Sequence, residues 1–488
     1  MKPTTITKIT FVLLLLITQN VFSQKITQTV KGEITDIETK TPLIGATVAV
    51  LGTNPLLGTS TDVNGKFKIP NVPVGRYNVQ INYIGYDPVI VSEVLVSSGK
   101  ETILNSGMKQ SVSQVDEVTI KAHSNKDKPL NTMASISAKT FTVEETRRYA
   151  GGLDDPARMA SAFAGVSVGN IQDNAIIIRG NSPKGLSWRL EGVEIPNPNH
   201  FAGGNVAGGG VVTIFSGQLM STSDFFTGAF PAEYGNALAG VFDMKLRNGN
   251  SDKRESTFQV GLLGIDFASE GPFCKGKNAS YLFNYRYSTF GLVKKLNILP
   301  DDVSQIPQYQ DLSFKLNFPT KKFGTFSLWG IGGMDDNQEQ NDRDSTKWET
   351  NWDKIYYDWD LNMGAIGLTH KIILGKKTYM NSTLAASATN NVTHFTSLDN
   401  NLEEKPYSDF VDNNSKITLT SFINHKISSK STIKAGFDFS EMFYNLNMSG
   451  VTDDNHLETY QNYVKEDGQS QYADAYIESK YDITPTLS

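Results

Sequence analysis

The feature that most constrains this chain is a period of two. After Arg254 the sequence alternates apolar and polar residues again and again. In "SYLFNYRYS" the residues Tyr281, Phe283, Tyr285 and Tyr287 share one face, and Ser280, Asn284 and Arg286 the other. "DLSFKLNF" sets Leu312, Phe314, Leu316 and Phe318 against Asp311, Ser313, Lys315 and Asn317. "TIKAGFDFS" sets Ile433, Ala435, Phe437 and Phe439 against Lys434, Asp438 and Ser440. Alternation of this kind is the mark of strands with two unlike faces.

Any one such strand fits a sandwich, so the connections decide. "PTKK" at 319–322, "LGKK" at 374–377 and "SSKS" at 428–431 read as tight turns. Between them lie polar links at about 289–308, 332–356, 391–413 and 447–468. Short turns at one rim and long loops at the other, with aromatic-rich outer faces, describe an outer-membrane β-barrel. In "TFQVGLLGIDFASEGPF" the apolar face switches between Leu262 and Leu263, which predicts two short strands joined there. About ten strands follow, ending near Tyr481.

The start of the chain fits export. Lys2 and Lys8 precede the apolar run Phe11–Ile17, with Ser23 and Gln24 after it, as in a secretory signal peptide over 1–23. That run is too short for a membrane helix, which needs about 20 apolar residues. The net charge of −6 becomes −8 once those two lysines leave, which argues against nucleic acid as a partner. Cys274 is the only cysteine, so no internal disulfide or cysteine metal cluster is expected. The six histidines are scattered without i,i+3 or i,i+4 pairs, and no metal site or cofactor is assigned.

Residues 26–110 read as a seven-stranded β-sandwich. Asn64-Gly65 between two β-rich runs predicts a hairpin, and Val79, Ile81 and Tyr83 alternate with Gln80 and Asn82. "TDVNG" lacks the further carboxylates of a calcium loop, with Lys66 and Lys68 in their place. Residues 111–130 form a polar linker holding "VDEVTIKA", an apolar patch that could add as a strand to a partner's sheet or simply extend the sandwich. Residues 131–250 are glycine-rich and mixed. Asp155 and Pro156 predict a short helix as N-cap and first helical residue, and Ile176–Ile178 a buried strand. "AGGNVAGGG" at 202–210 lacks the ending of a phosphate loop, and "GNSPKG" is no nucleophile elbow. No nucleophile or acid–base pair assembles, so an exported hydrolase is disfavoured.

These segments together carry a resemblance. "VKGEITDIETKTPLIGATVAVLGT" and "TDVNGKFKIPNVPVGRYNVQINYIGYD" look like the carboxypeptidase-regulatory-like domain found ahead of outer-membrane receptors in Bacteroidetes. "IIIRG", "LEGVEIPNP" and "FPAEYGNALAGVFDMKLRNG" resemble the plug of a TonB-dependent outer-membrane receptor. The resemblance implies a mainly β protein: sandwich, mixed α/β plug at 131–250, and the first ten or so strands, at 255–488, of a 22-stranded antiparallel transmembrane barrel. A ten-strand barrel has no room for a plug of about 120 residues, so an incomplete receptor is expected.

The resemblance also implies the function: import of a scarce siderophore, vitamin, peptide or oligosaccharide, without catalysis, through outer-membrane lipids. Val115, Asp116, Glu117, Val118, Thr119 and Ile120 resemble the TonB box in place and character, implying TonB of the TonB–ExbB–ExbD complex as partner. Arg179, Gly180, Glu191, Gly192, Tyr234, Gly235 and Gly240 match plug-core positions. Glu191 stands where the family has Asp, and Thr227-Gly228-Ala229 where it has a basic residue, Gly and Pro. The glycan-import signature is thus met only in part, and a SusD-like lipoprotein partner is not implied. Arg179 is expected to pair with acidic groups of the plug or wall, its alternative being a surface arginine beside a turn. Asn197, Asn199 and His200 are placed at the plug's tip, where they would face substrate or do nothing specific. A signal-transducing receptor and a barrel-anchored adhesin are the rival readings.

Overall fold

The computed structural model describes residues 25–111, 129–134, 136–149, 151–152, 154–169, 174–203, 206–261, 264–289, 292–293, 296, 308–339, 343–399, 401–452 and 459–484. The expected signal peptide and the segment Val115–Ile120 lie outside them. The chain divides into two compact bodies.

The first body is the N-terminal sandwich. Its strands are β1 (Thr27–Asp36), β2 (Thr47–Leu51), β3 (Leu57–Ser60), β4 (Lys66–Pro73), β5 (Gly75–Asn82), β6 (Val89–Val96), β7 (Thr102–Ile103) and β8 (Ser106–Met108). That is one more than the seven expected. One sheet runs β4-β1-β7 with β8 also on β1, and the other runs β3-β2-β5-β6. Val30, Ile34, Val48, Val50, Phe67, Ile69, Val79 and Ile81 fill the space between them. Asn64-Gly65 makes a turn but not the expected hairpin. Asp62 accepts from the Asn64 and Lys66 amides at 2.8 Å, and the turn carries the chain from one sheet to the other. The dipeptide specifies a tight reversal and leaves open which strands will pair.

The second body opens with a small mixed domain. Its strands are β9 (Ala138–Phe141), β10 (Val166–Val168), β11 (Ile176–Ile178), β12 (Leu186–Leu190), β13 (Val193–Ile195), β14 (Asn199–His200), β15 (Val212–Thr213), β16 (Ser223–Phe226) and β17 (Gly240–Met244). Five of them form one sheet in the order β13-β12-β17-β16-β9. Helix α1 spans Val143–Arg148 and α2 spans Pro156–Ala160. Asp155 caps α2 through the Ala157 amide, with Pro156 at its first position, as the sequence predicts. Strands β12 and β17 run parallel and set Trp188 on Phe242, whose rings stack at 4.7 Å. Phe225 and Phe141 pack on the same phenylalanine, and burial of each large ring contributes about 2–3 kcal/mol.

Ten antiparallel strands follow in sequence order: β18 (Glu255–Val260), β19 (Ile265–Pro272), β20 (Ser280–Tyr287), β21 (Gln308–Pro319), β22 (Thr325–Glu339), β23 (Ile355–Ile373), β24 (Thr378–Leu398), β25 (Glu404–Ser428), β26 (Ser431–Val451) and β27 (Tyr460–Tyr481). Two strands stand where two were expected, with the Gly261 amide donating to the Gly264 carbonyl at 2.9 Å between them, while Leu262 and Leu263 themselves lie outside the described residues. The turns at 319–322, 374–377 and 428–431 are tight. The links are shorter than their polarity suggests, however. Residues 391–398 and 404–413 continue β24 and β25, so only 399–403 connect them. Backbone pairing extends past the end of the apolar pattern, because ladder bonds do not need an apolar side chain.

The register puts leucines opposite one another across the outer face, from Leu316 through Leu328, Leu368 and Leu384 to Leu419. The inner face carries Lys315, Trp329, Met363 and Lys416, and the mixed domain packs on it in one continuous core. No described helix is long and apolar enough to cross a membrane.

Gly240 shows how close the packing is. A Cβ there would stand 2.2 Å from Ile178 Cδ1 and 2.7 Å from the Phe226 carbonyl oxygen. Gly240→Ala should therefore destabilise the mixed domain by about 1–3 kcal/mol, read as a lower urea midpoint for its protection from protease. An unchanged midpoint would contradict this packing.

Candidate functional site

Two turns in the mixed domain share one chemistry. Arg179 and Gly180 have φ of 51° and 80°, and the Asn181 amide closes on the Ile178 carbonyl at 2.9 Å. Glu191 and Gly192 have φ of 52° and 92° between the paired Leu190 and Val193. Positive φ at both central residues is the type I′ geometry of a two-residue reversal, for which glycine at the second position is favoured. This explains "IIIRG" and "LEGV" without any catalytic role.

The first turn overturns the expectation for Arg179. Its side chain is exposed, and Ser137 Oγ lies 3.5 Å from Nη2, with no carboxylate partner among the described residues. The buried arginine of the domain is Arg189. It donates to the Gly192 carbonyl at 3.0 Å, lies 3.7 Å from Asp438 on β26, and covers the Tyr234 ring at 5.5 Å. Tyr234 donates to Asp243 at 2.9 Å and accepts from Asn131 at 3.0 Å. Burial, with Asp243 and Glu233 nearby, pushes its phenol well above the usual range. Gly235 leaves room for the sheet, since a Cβ there would lie 3.0 Å from Asp474.

The second turn aims a carboxylate at the sheet. Glu191 Oε1 accepts from Lys315 Nζ on β21 at 2.9 Å and from the Leu246 amide at 2.7 Å. The same ammonium also reaches the Leu246 carbonyl at 2.9 Å. Glu194 pairs with Lys416 on β25 at 3.1 Å, and Glu233 pairs with Lys434 on β26. Burial alone would raise Glu233, but Lys434, Asn131 and Arg189 outweigh it and hold the carboxyl below its ordinary value.

His200 is the centre of the arrangement and does not face a binding surface. Its side chain is fully buried, with Nε2 3.0 Å from Asp311 on β21 and Nδ1 on Asp335 of β22. The Phe201 amide donates to the other Asp335 oxygen at 2.6 Å, and the Tyr309 ring lies 4.3 Å from the imidazole. Arg286 on β20 donates to Asp311 at 2.7 Å and to the Thr213 carbonyl at 2.6 Å. Asn199 is buried too, accepting from Asn174, while Asn197 donates to the Gly209 carbonyl at 2.7 Å. His200 therefore braces the domain against the wall, while Asn197 and Asn199 bond within the domain itself.

Burial would lower the imidazole pKa, but Asp335 and Asp311 outweigh it, and the group is raised above its ordinary value. A raised folded value means that the stabilisation is fully present below the unfolded pKa of about 6.5 and is lost as pH rises through the folded one. Nothing local in "NPNH" signals this role. The partners Asp311, Lys315 and Arg286 were visible as the polar face of their strands, yet the residue each one meets depends on distant packing.

Replacing His200 by Leu should destabilise the domain by about 3–5 kcal/mol, because the two buried carboxylates then keep only Arg286 and the Phe201 amide between them. His200→Gln should keep the shape and remove the pH dependence: its urea midpoint for protease protection should be flat above pH 6.5 where that of the unaltered protein declines. Parallel profiles for the two proteins would contradict this.

With the geometry in place, comparison with known proteins is informative. Residues 30–120 match the CarboxypepD_reg-like domain family. The TonB-dependent transporter Oar of Myxococcus xanthus is 22% identical over 262 residues, which are 51% of this chain and 24% of that protein. The pyoverdine outer membrane receptor FpvA of Pseudomonas aeruginosa PAO1 superposes with a TM-score of 0.51 at 10% identity, over 74% of this chain and 56% of its own. FpvA bound to heterologous pyoverdines gives the same score over 73% and 50%. The chain thus spans about a quarter of the curated relative and about half of these receptor structures. Residues 30–120 thus match the carboxypeptidase-regulatory-like family, and the mixed domain with its ten-stranded sheet shares the fold of about half of each of these outer-membrane receptors.

Proposed function

We propose that this protein imports a scarce nutrient across the outer membrane through a plug-gated β-barrel. The observation that carries the reading is the seat of the plug. It is held on the inner face of the sheet by enclosed ion pairs at His200, Glu191 and Glu233 and a partly accessible one at Glu194, each reaching a different strand or pair of strands. Such a seat blocks diffusion. It is also releasable, because ion pairs exchange partners with water in a way that an apolar core does not.

In this reading the leucine row faces lipid, the N-terminal domain lies in the periplasm, and Val115–Ile120 is the segment gripped by TonB. TonB adds as a strand to that segment and, with ExbB and ExbD, transmits a pull derived from the proton gradient. The plug residues then part from Asp311, Asp335 and the inner-face lysines, and a path opens. No bond is made or broken in the substrate. The nutrient is a siderophore, vitamin, peptide or oligosaccharide, and Glu191 and Thr227–Ala229 give no support to a SusD-like lid.

Deletion of residues 115–120 should abolish energised uptake under iron or nutrient limitation while leaving the protein in the outer membrane. Uptake by cells with the gene intact, deleted or so shortened, screened across nutrient classes, tests this. Uptake that survives the deletion, or continues after the proton gradient is collapsed, would contradict it.

A further inference from the structure

Two neighbouring rows end the apolar pattern on the outer face of the sheet. The register carries Leu312 to Gly332, then to Gly364, Ala388, Ser415 and Phe443. Four successive strands thus present only glycine, glycine, alanine and serine. Two residues further along each strand, Asn362, Asn390, Asn413 and Asn445 stand opposite one another. Asn362 donates to Asn390 at 3.4 Å, and Asn390 to Asn413 at 2.6 Å. Small residues beside large ones leave a trough of about 830 Å³, closed by Tyr285 and Met334 at one end and by Phe443 at the other. With strands about 4.8 Å apart, it runs roughly 24 Å across the sheet.

We infer that this trough binds one acyl chain of an uncharged amphiphile, whose hydroxyl- or ester-bearing head bonds to the asparagine row. The inference rests on the membrane reading above. The floor and both end walls suit hydrocarbon. Each amide offers two donors and an oxygen with two lone pairs, and the ladder uses only part of them, so the row presents donors and acceptors together. Its lining includes no lysine or arginine, and its one carboxylate, Asp311, is turned inward to His200 and Arg286. A phosphate would therefore find no cation.

The row stands at the edge of the apolar band, with Asp336 and Asp360 in the next row outward, so a polar head bound there lies beyond the hydrocarbon while its chain lies on the floor. The floor lies between the asparagine row and a row holding Ile366 and Ile417, about 14 Å apart along the strands. Their side chains narrow this below the 10–12 Å diameter of a helix. The strands here are paired on both sides, so no partner strand can add.

The test uses outer membranes of cells producing the protein, mixed with an uncharged acyl glucoside carrying a diazirine midway along its chain. After illumination, labelled peptides are mapped by mass spectrometry. Label should concentrate on 330–336, 362–366, 386–390 and 413–417. It should fall about fivefold with Ala388→Phe, which fills the floor, and with Asn390→Leu, the factor that loss of one neutral hydrogen bond carries. Ser415→Phe serves if the first variant does not assemble. Label spread evenly over Leu316, Leu384 and Leu419 and indifferent to the variants would overturn the trough but leave the membrane placement intact. Absence of label anywhere on the sheet would overturn both, and a polypeptide cross-linked across 362–390 in place of the probe would overturn the lipid.

Discussion

Charges on the inner face of the sheet cannot stay buried without partners, and the rest of the structure follows from that constraint. Asp311, Asp335, Lys315 and Lys434 are all nearly or fully enclosed. An isolated charge in such surroundings is so unfavourable that it must be paired, hydrogen-bonded or neutralised. The plug supplies what each one needs: His200 for the two aspartates, Glu191 and Glu233 for the lysines. The seat is therefore specific, because a shifted plug would strand several charges at once. Apolar packing of Trp188 and Phe242 holds the plug together, and Trp329 and Met363 join that core from the wall.

The same sheet reads differently from its two sides. Leucines in register make the outer face apolar, and the polar inner face pairs its charges with those of the mixed domain. The apolar band of the outer face ends at the asparagine row and the small residues beside it, with Asp336 and Asp360 in the row beyond. Stability alone does not ask for amides there. A bound amphiphile accounts for both the missing volume and the surplus hydrogen-bonding groups.

Much of the architecture was legible because strand periodicity is local. The inner and outer sets of "DLSFKLNF" and "TIKAGFDFS" face as their alternation requires, and the stretch expected to be two strands ends one at Val260 and begins the next at Ile265. Partnerships across the fold were not legible. Arg179 follows three isoleucines and reads as a buried charge, but the type I′ turn throws it outward, and Arg189, ten residues on, takes the buried place. His200 looks idle on a polar loop because the aspartates that hold it lie more than a hundred residues away. Asn64-Gly65 specifies a reversal, whereas the pairing of the strands around it depends on the whole sandwich. The polar stretch 391–413 reads as a loop because hydropathy follows the solvent, while the strand follows its backbone bonds.

The most direct test of the seated plug uses a zero-length carbodiimide, which joins a carboxylate to an ammonium only where the two already touch. Glu194 and Lys416, 3.1 Å apart and partly accessible, should yield an isopeptide-linked pair of peptides in isolated outer membranes. Lys405 at the start of β25 and Glu403 in the link before it, also in contact but exposed, report that the reagent has acted. Recovery of the Glu194–Lys416 link would place β13 against β25 as described. Reaction at Lys405–Glu403 with Lys416 unmodified, or linked to a carboxylate outside the plug, would contradict the account.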